Sequence, residues 1–234
     1  AAGAVFGLLR FEETLLPERR RRFDPFRSNP LGTIRRMRRI PLVMGCLCAI
    51  FLMQLASQAQ LSVWAYYGTA KFEWTPAVTG ATIALFGILL VLTQGVLSGK
   101  AIARFGPVRT ATIILLFSIP SFLTLAFAPS TPVVILGVII GAIPGMCFPA
   151  MQQLMSPRVA EDAQGELQGA IASTISLTAI IGPPLMTGVF AAYADAQGPF
   201  FPGAPFVVAA GLMAGAVTVL TVTLLRHAGQ PSAA

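Results

Sequence analysis

The sequence predicts an all-helical membrane protein, a bundle of six transmembrane helices. Of its 234 residues, 55% are hydrophobic and 11% are charged, and the mean hydropathy is +0.76, a balance that a water-soluble domain rarely reaches. Five long stretches contain no Lys, Arg, Asp, Glu or His. These stretches cover residues 40–70, 74–99, 110–157, 167–194 and 196–225.

Each stretch can hold a membrane span, because a helix crosses the hydrocarbon core with about 20 apolar residues. The stretch over residues 110–157 has room for two spans, which gives six within a domain over residues 40–226. Lipid offers the backbone no hydrogen-bond partner, so every span is expected to be helical. The predicted spans cover residues 40–67, 77–97, 110–128, 132–154, 167–192 and 205–225, with boundaries good to a few residues.

The basic residues lie almost entirely on one side of this bundle. Ten of the 16 Lys and Arg fall between Arg10 and Arg39, and all the others except Lys71 lie in connections on the same side or in the C-terminal tail. Cytoplasmic loops carry such an excess of positive charge, so the basic segment and the tail at 227–234 are predicted to be cytoplasmic. A basic segment beside a membrane helix sets topology or binds anionic lipid, and nucleic acid is not an expected partner.

Aromatic residues favour the same orientation. Five of them fall at the predicted outer ends of the spans, where amphipathic rings anchor proteins at the lipid headgroups. They are Trp64, Tyr66, Tyr67, Trp74 and Tyr193.

The first residues of the chain are interpreted as part of a longer bundle. Residues 1–9 are apolar but shorter than a span, so we expect them to be the cytoplasmic end of a preceding membrane helix. Residues 10–39 then form a basic cytoplasmic loop.

The predicted spans contain no acidic or basic residue and no histidine. Proton-coupled steps usually use an intramembrane Asp, Glu or His, so a coupling residue is expected outside this chain. The one histidine, His227, follows the last span, and no pattern of metal ligands or catalytic pairs is present. An enzyme, a metal site and a cofactor are therefore not expected.

Neutral polar side chains are the candidates for contact with a small molecule. Gln54 and Gln58 are four residues apart and are predicted to share a helix face. Amides beside aromatic rings suit a cavity for a partly apolar ligand, whereas hydrogen bonding between helices is the alternative and is favoured for the Ser and Thr residues. The candidate substrate-binding residues are Gln54, Gln58, Trp64, Phe86, Gln94, Phe148 and Gln152.

Glycine and proline interrupt three spans, most densely at Gly182, Pro183 and Pro184. Proline removes a backbone donor and bends a helix, so these residues are predicted to bend the fifth span. Interrupted helices are typical of bundles that move or line a cavity, with simple packing as the alternative.

Several stretches together carry a family resemblance. They are Met53-Gln54-Leu55, Phe86-Gly87-Ile88-Leu89 with Gln94, Pro149-Ala150-x-Gln152, and the run from Gln164 through Gly169 to Ser176 and Pro183. They resemble the C-terminal half of a major facilitator superfamily transporter, of the tetracycline-efflux type of drug/proton antiporter. The resemblance implies that the spans are helices 7 to 12 of a twelve-helix fold, with residues 1–9 ending helix 6.

The same resemblance implies function and surroundings. A six-helix N-terminal half, the lipid bilayer and a small-molecule substrate become the expected partners, and the bacterial inner membrane becomes the expected location. Export would proceed by alternating access, driven by the proton gradient without a cofactor. The third and sixth spans would face lipid, and the others would face the N-terminal half.

The connection between the second and third spans resembles a cytoplasmic loop of the superfamily, Gly-x-x-x-Asp-Arg-x-Gly-Arg-Arg. Its candidate gating residues are Gly99, Arg104, Gly106 and Arg109, whereas Ala103 replaces the acid. Leu90 stands where the tetracycline pumps carry a histidine, so the resemblance supports the transporter class more firmly than it supports tetracycline. The alternatives are a metabolite facilitator or symporter of the same superfamily, and a non-transporting receptor or anchor module.

Overall fold

The computed structural model describes residues 40–194 and 200–228. The predicted helix end at 1–9, the basic loop at 10–39 and the tail beyond residue 228 lie outside the described residues. The described part is helical throughout and contains no β-strand, as the all-helical class predicts.

Eight α-helices make up the described residues. They are α1 (Pro41–Phe72), α2 (Pro76–Val91), α3 (Ser98–Leu116), α4 (Ser118–Phe127), α5 (Thr131–Ala142), α6 (Cys147–Met155), α7 (Gln164–Tyr193) and α8 (Ala204–Ala228). A π-helical segment, Leu92–Leu97, joins α2 to α3, and a 3-10 turn, Ile143–Met146, joins α5 to α6. Two short 3-10 turns, Ser156–Arg158 and Glu161–Ala163, precede α7.

Five described helical stretches are long and apolar enough to cross a membrane. They are Pro41–Phe72, Pro76–Phe127, Thr131–Arg158, Glu161–Tyr193 and Ala204–Arg226. The membrane class is thereby confirmed. The count of six spans stays a prediction, because α2, α3 and α4 follow one another within one stretch of 52 residues.

The chain folds back on itself at Gly106. This residue has φ 76° and ψ 160°, a backbone conformation that is nearly restricted to glycine. The Thr110 hydroxyl donates to the Ala101 carbonyl at 3.2 Å, although nine residues of straight helix would separate them by about 13 Å. The sequence predicts a loop that holds Lys100, Arg104 and Arg109, whereas Ser98–Phe105 are helical, since Lys, Ala and Arg favour helix.

Helix α1 is the centre of the bundle and packs along both α7 and α8. Small residues make this packing close: Ala49, Ala56 and Ala59 are fully buried. On the α7 side, a Cβ atom added to Gly182 would overlap the Cβ and Cγ atoms of Gln58. The Gln58 side chain therefore occupies the space that the glycine leaves.

The C-terminal end of α1 pairs with the C-terminal end of α4. The Tyr67 hydroxyl donates to the Leu125 carbonyl, and the Lys71 ammonium donates to the Ala126 carbonyl at 3.0 Å. The last carbonyls of a helix lack partners within it, so α1 side chains supply the donors that α4 needs.

The aromatic residues at this end differ from the headgroup anchors that the sequence predicts. Trp64, Tyr67 and Trp74 are buried, and the rings of Tyr67 and Phe206 lie 4.8 Å apart in an edge-to-face contact. The position of a residue at the end of a span does not reveal whether its side chain faces lipid or another helix. Here these three side chains pack against neighbouring parts of the protein. Only Tyr66 and Tyr193 of the five are exposed, at 62% and 43%.

Replacement of Tyr67 by Phe should destabilise the protein by about 1–3 kcal/mol, because the Leu125 carbonyl loses its donor inside the bundle. Thermal unfolding in detergent micelles measures the effect. Tyr66→Phe is the matched control, since that ring is largely exposed. Equal unfolding temperatures for the two variants would contradict the pairing.

Replacement of Gly182 by Ala should cost about 1–3 kcal/mol, because the added methyl group displaces Gln58 from the α1–α7 contact. Gly188→Ala in the same helix is the control, since nothing lies within 4 Å of its added Cβ. Combining Gly182→Ala with Gln58→Gly, which removes both the Cβ and the Cγ that the added methyl group would overlap, should give a favourable coupling energy in a double-mutant cycle of unfolding free energies. Strict additivity of the two changes would show that the residues do not share this space.

Candidate functional site

A cavity of about 430 Å³ lies within the described bundle. Its walls come from α1, α2 with the π-helical segment, α4, the junction of α5 and α6, and α8. Four aromatic rings line it: Trp64, Phe86, Phe122 and Phe148. A space of this size with aromatic walls and a few polar groups is typical of a small-molecule site.

Five of the seven predicted substrate-binding residues meet at this cavity. They are Gln54, Trp64, Phe86, Gln94 and Phe148. They come from four separate helical segments, so the fold brings together residues that are distant in sequence.

The other two predicted residues lie elsewhere. Gln58 sits against Gly182 of α7 rather than beside Gln54 in the cavity. Residues four apart on an α-helix differ by about 40° in direction, and α1 has α7 on one side and the cavity on the other. Gln152, on α6, is half-buried and is not part of the cavity wall.

Two irregular helical segments form one side of the cavity. Residues Leu92–Leu97 are π-helical and contact the 3-10 turn Ile143–Met146. The contact is close because Gly145 has no side chain: an added Cβ would lie 2.8 Å from Leu90 Cδ1 and 3.1 Å from Thr93 Oγ1. π-Helical turns within α-helices occur frequently at functional sites.

The described cavity wall carries no Asp, Glu, Lys, Arg or His. Leu90 is part of this wall. The polar side chains of the cavity wall include glutamine amides and serine hydroxyls, which form hydrogen bonds without neutralising a charge. Because an unpaired charge is costly in an apolar site, the wall suits an uncharged part of a ligand.

Hydroxyl groups in the wall differ in their hydrogen bonds. Ser57 donates to the Met53 carbonyl at 3.0 Å within α1. Ser121 donates across to the Gly137 carbonyl of α5 at 2.9 Å. Ser118 is 1% exposed, and its Oγ has no hydrogen-bond partner among the described residues.

The sequence analysis missed the contributions of α4 and α8. It assigned these spans to the lipid side, yet Ser118, Ser121 and Phe122 of α4 and Met213 of α8 line the cavity. The three-residue spacing of the two serines, which places them on one helix face, was the available signal.

The predicted gating and bending residues occupy defined positions. Gly99 and Arg104 lie on the helix before Gly106, and Arg109 lies after it. The Arg104 guanidinium is 5.9 Å from the centre of the Phe105 ring. Pro183 and Pro184 lie inside α7, which runs unbroken from Gln164 to Tyr193, so their role in bending stays a prediction.

Known proteins resemble this chain in sequence and in fold. It is 34% identical over 176 residues to tetracycline resistance protein, class C, of Escherichia coli. The matched segment covers 75% of this chain and 44% of that protein. It is 32% identical over 154 residues to the class G protein of Vibrio anguillarum, with 65% and 39% covered. The chain thus spans less than half the length of these curated relatives.

Among solved structures, the human organic anion transporter MFSD10 (TETRAN) has the same fold, with a TM-score of 0.80 at 20% identity over 94% of this chain and 54% of that one. The sequence model of the Major Facilitator Superfamily matches residues 46–232, which include nearly all of α1 and the whole of α2 to α8. That family consists of membrane transporters rather than enzymes, as the sequence analysis predicts. This chain belongs to the Major Facilitator Superfamily.

Proposed function

We propose that this chain is the C-terminal six-helix half of a twelve-helix secondary transporter, which exports a drug-like molecule such as tetracycline by alternating access in exchange for protons. The cavity carries the proposal, because it combines aromatic walls with neutral hydrogen-bonding groups between membrane helices. The names of the tetracycline resistance proteins, to which the chain is 34% and 32% identical, support the choice of substrate.

The count of six spans rests on the turn at Gly106. As one straight helix, the 52 residues of Pro76–Phe127 would measure about 78 Å, more than twice the thickness of the hydrocarbon core. The hydrogen bond from Thr110 to Ala101 supports two antiparallel spans instead. Coverage of 44% and 39% of the relatives supports a second bundle of similar size as partner.

We assign substrate contact to Gln54, Trp64, Phe86, Gln94 and Phe148, which share the cavity. Gln58 is assigned to packing against Gly182. The predicted spans contain no acid or histidine, so the proton-carrying residue is assigned to the other half. In this scheme the bases around Gly106 and the C-terminus face the cytoplasm of a bacterial cell.

Export can be tested with inside-out membrane vesicles that contain the full-length protein. An imposed proton gradient should drive tetracycline into the vesicles, and a protonophore should abolish the accumulation. Gln94→Leu should lower kcat/KM about fivefold, the effect of losing one neutral hydrogen bond of about 1 kcal/mol. Gln153→Leu, an exposed position outside the cavity, is the matched control.

The alternatives give different results in the same vesicles. Equilibration of tetracycline without dependence on the gradient would indicate a facilitator. Absence of transport, together with loss of binding to anionic lipid when Arg19 to Arg22 are neutralised, would indicate an anchor module.

The turn at Gly106 gives a second test. Gly106→Ala should cost about 1–3 kcal/mol, because its φ of 76° and ψ of 160° are strained for any residue with a Cβ. If the turn is needed for rocking, transport should fall with stability, as measured by vesicle uptake and thermal unfolding. Gly211→Ala in α8, which meets no atom within 4 Å, should leave transport unchanged and should stabilise slightly. Equal behaviour of the two variants would contradict the assignment.

A further inference from the structure

Ser118 carries a buried hydroxyl that the described fold does not use. It is the first residue of α4, 1% exposed, and part of the cavity wall. Among buried side-chain oxygen and nitrogen atoms of the described residues, its Oγ is the one without a hydrogen-bond partner. Buried polar atoms are nearly always paired, so an unpaired one at a cavity calls for an explanation.

Ser118 differs from most buried serine and threonine side chains of the described bundle. Most of them donate to a carbonyl three or four residues back in the same helix, as Thr174 does to Ala170 at 2.8 Å. The exceptions Thr110 and Ser121 donate to more distant carbonyls, those of Ala101 and Gly137. The Ser118 hydroxyl makes neither kind of bond with the described residues.

Ser121 provides the contrast one turn further along α4. It lines the same cavity, but its hydroxyl donates to the Gly137 carbonyl at 2.9 Å and joins α4 to α5. Two serines on one helix face thus differ in whether the hydroxyl forms a hydrogen bond within the described protein. The Ser121 hydroxyl is committed to structure, whereas the Ser118 hydroxyl is buried and has no partner among the described residues.

We propose that Ser118 is a specificity-determining residue, whose hydroxyl donates a hydrogen bond to an uncharged carbonyl oxygen on a flat aromatic ligand in this cavity. The inference rests on the proposed binding role of the cavity and names the chemical class that it selects. Because the hydroxyl makes no bond in the free protein, rotation about χ1 toward a ligand breaks none.

The walls support this ligand class. Rings from α1, α2, α4 and α6 line the space, and aromatic side chains pack well against flat aromatic ligands. No described wall residue carries a charge, so the hydrogen-bonding group of the ligand is neutral. A ketone-type carbonyl meets both conditions, since it accepts a hydrogen bond without bearing a charge.

Fluorenone and fluorene test the proposal, because they share one ring system and differ in a carbonyl group against a methylene group. Their binding to the full chain in lipid nanodiscs is measured by quenching of tryptophan fluorescence, with protein-free nanodiscs correcting for partition into lipid. The parent protein should bind fluorenone about fivefold more tightly than fluorene, as expected for one neutral hydrogen bond. Ser118→Ala should abolish this preference, while Ser118→Thr and Ser121→Ala should keep it.

Thermal unfolding of the ligand-free variants adds an independent readout. Ser118→Ala removes an unpaired buried hydroxyl and should raise the unfolding temperature, whereas Ser121→Ala breaks a formed hydrogen bond and should lower it. A purely structural role for Ser118 predicts the same direction for both. If Ser118→Ala does not fold, Ser118→Val serves in its place, since it also lacks the hydroxyl.

The outcomes separate this inference from the proposed function. A carbonyl preference that depends on Ser118, in a protein that does not move tetracycline, would overturn tetracycline export and support the inference. Tetracycline export together with an unchanged preference in Ser118→Ala would overturn the inference alone. A parent protein that binds fluorenone and fluorene equally would also overturn it.

Discussion

The carbonyl groups of Leu125 and Ala126 at the end of α4 need donors within the protein, because both residues are buried in the bundle. The Tyr67 hydroxyl donates a hydrogen bond to the Leu125 carbonyl, and the Lys71 ammonium donates one to the Ala126 carbonyl. Gly203, before α8, lies against the same Ala126 carbonyl, where a Cβ would not fit. One helix end thereby fixes α1, α4 and the start of α8 relative to one another. That junction therefore also determines where these helices place their cavity-lining residues.

Glycine positions then determine where the helices touch and where they separate. Gly182 brings α7 against α1 on one side of the bundle, and Gly145 brings the α5–α6 junction against the π-helical segment. Between these close contacts, the bulky rings of Trp64 and Phe148 hold the walls apart and leave space. In lipid, close packing replaces the hydrophobic effect as the force between helices, so small residues at contacts and large ones at the cavity follow from the same requirement.

Sequence alone was sufficient for the membrane class, because composition and charge position report membrane burial directly. Gln94 and Phe148 were predicted to line a cavity because an amide beside an aromatic ring suits a partly apolar ligand, and both lie in the cavity wall. Gln58 was misplaced, because a 40° difference in direction decides between two neighbours that no sequence pattern reveals. Ser118 was missed for a related reason: serine in a membrane helix normally bonds its own backbone, and the sequence does not reveal that this hydroxyl has no partner among the described residues.

The uncharged cavity wall also bears on how the proposed transporter would separate substrate binding from proton binding. A carboxylate or imidazole in this cavity would have to exchange a proton in an apolar site, where the cost of burying the charged form shifts the equilibrium strongly. The described wall residues carry no charge, so in the proposed transporter this wall would recognise a ligand through shape and hydrogen bonds. In that case, proton binding in a second bundle would affect substrate binding only by changing the relative orientation of the two bundles. In such a scheme the turn at Gly106 and the paired carbonyls of α4 matter as much as the cavity, because coupling by conformation requires each bundle to move as a rigid unit.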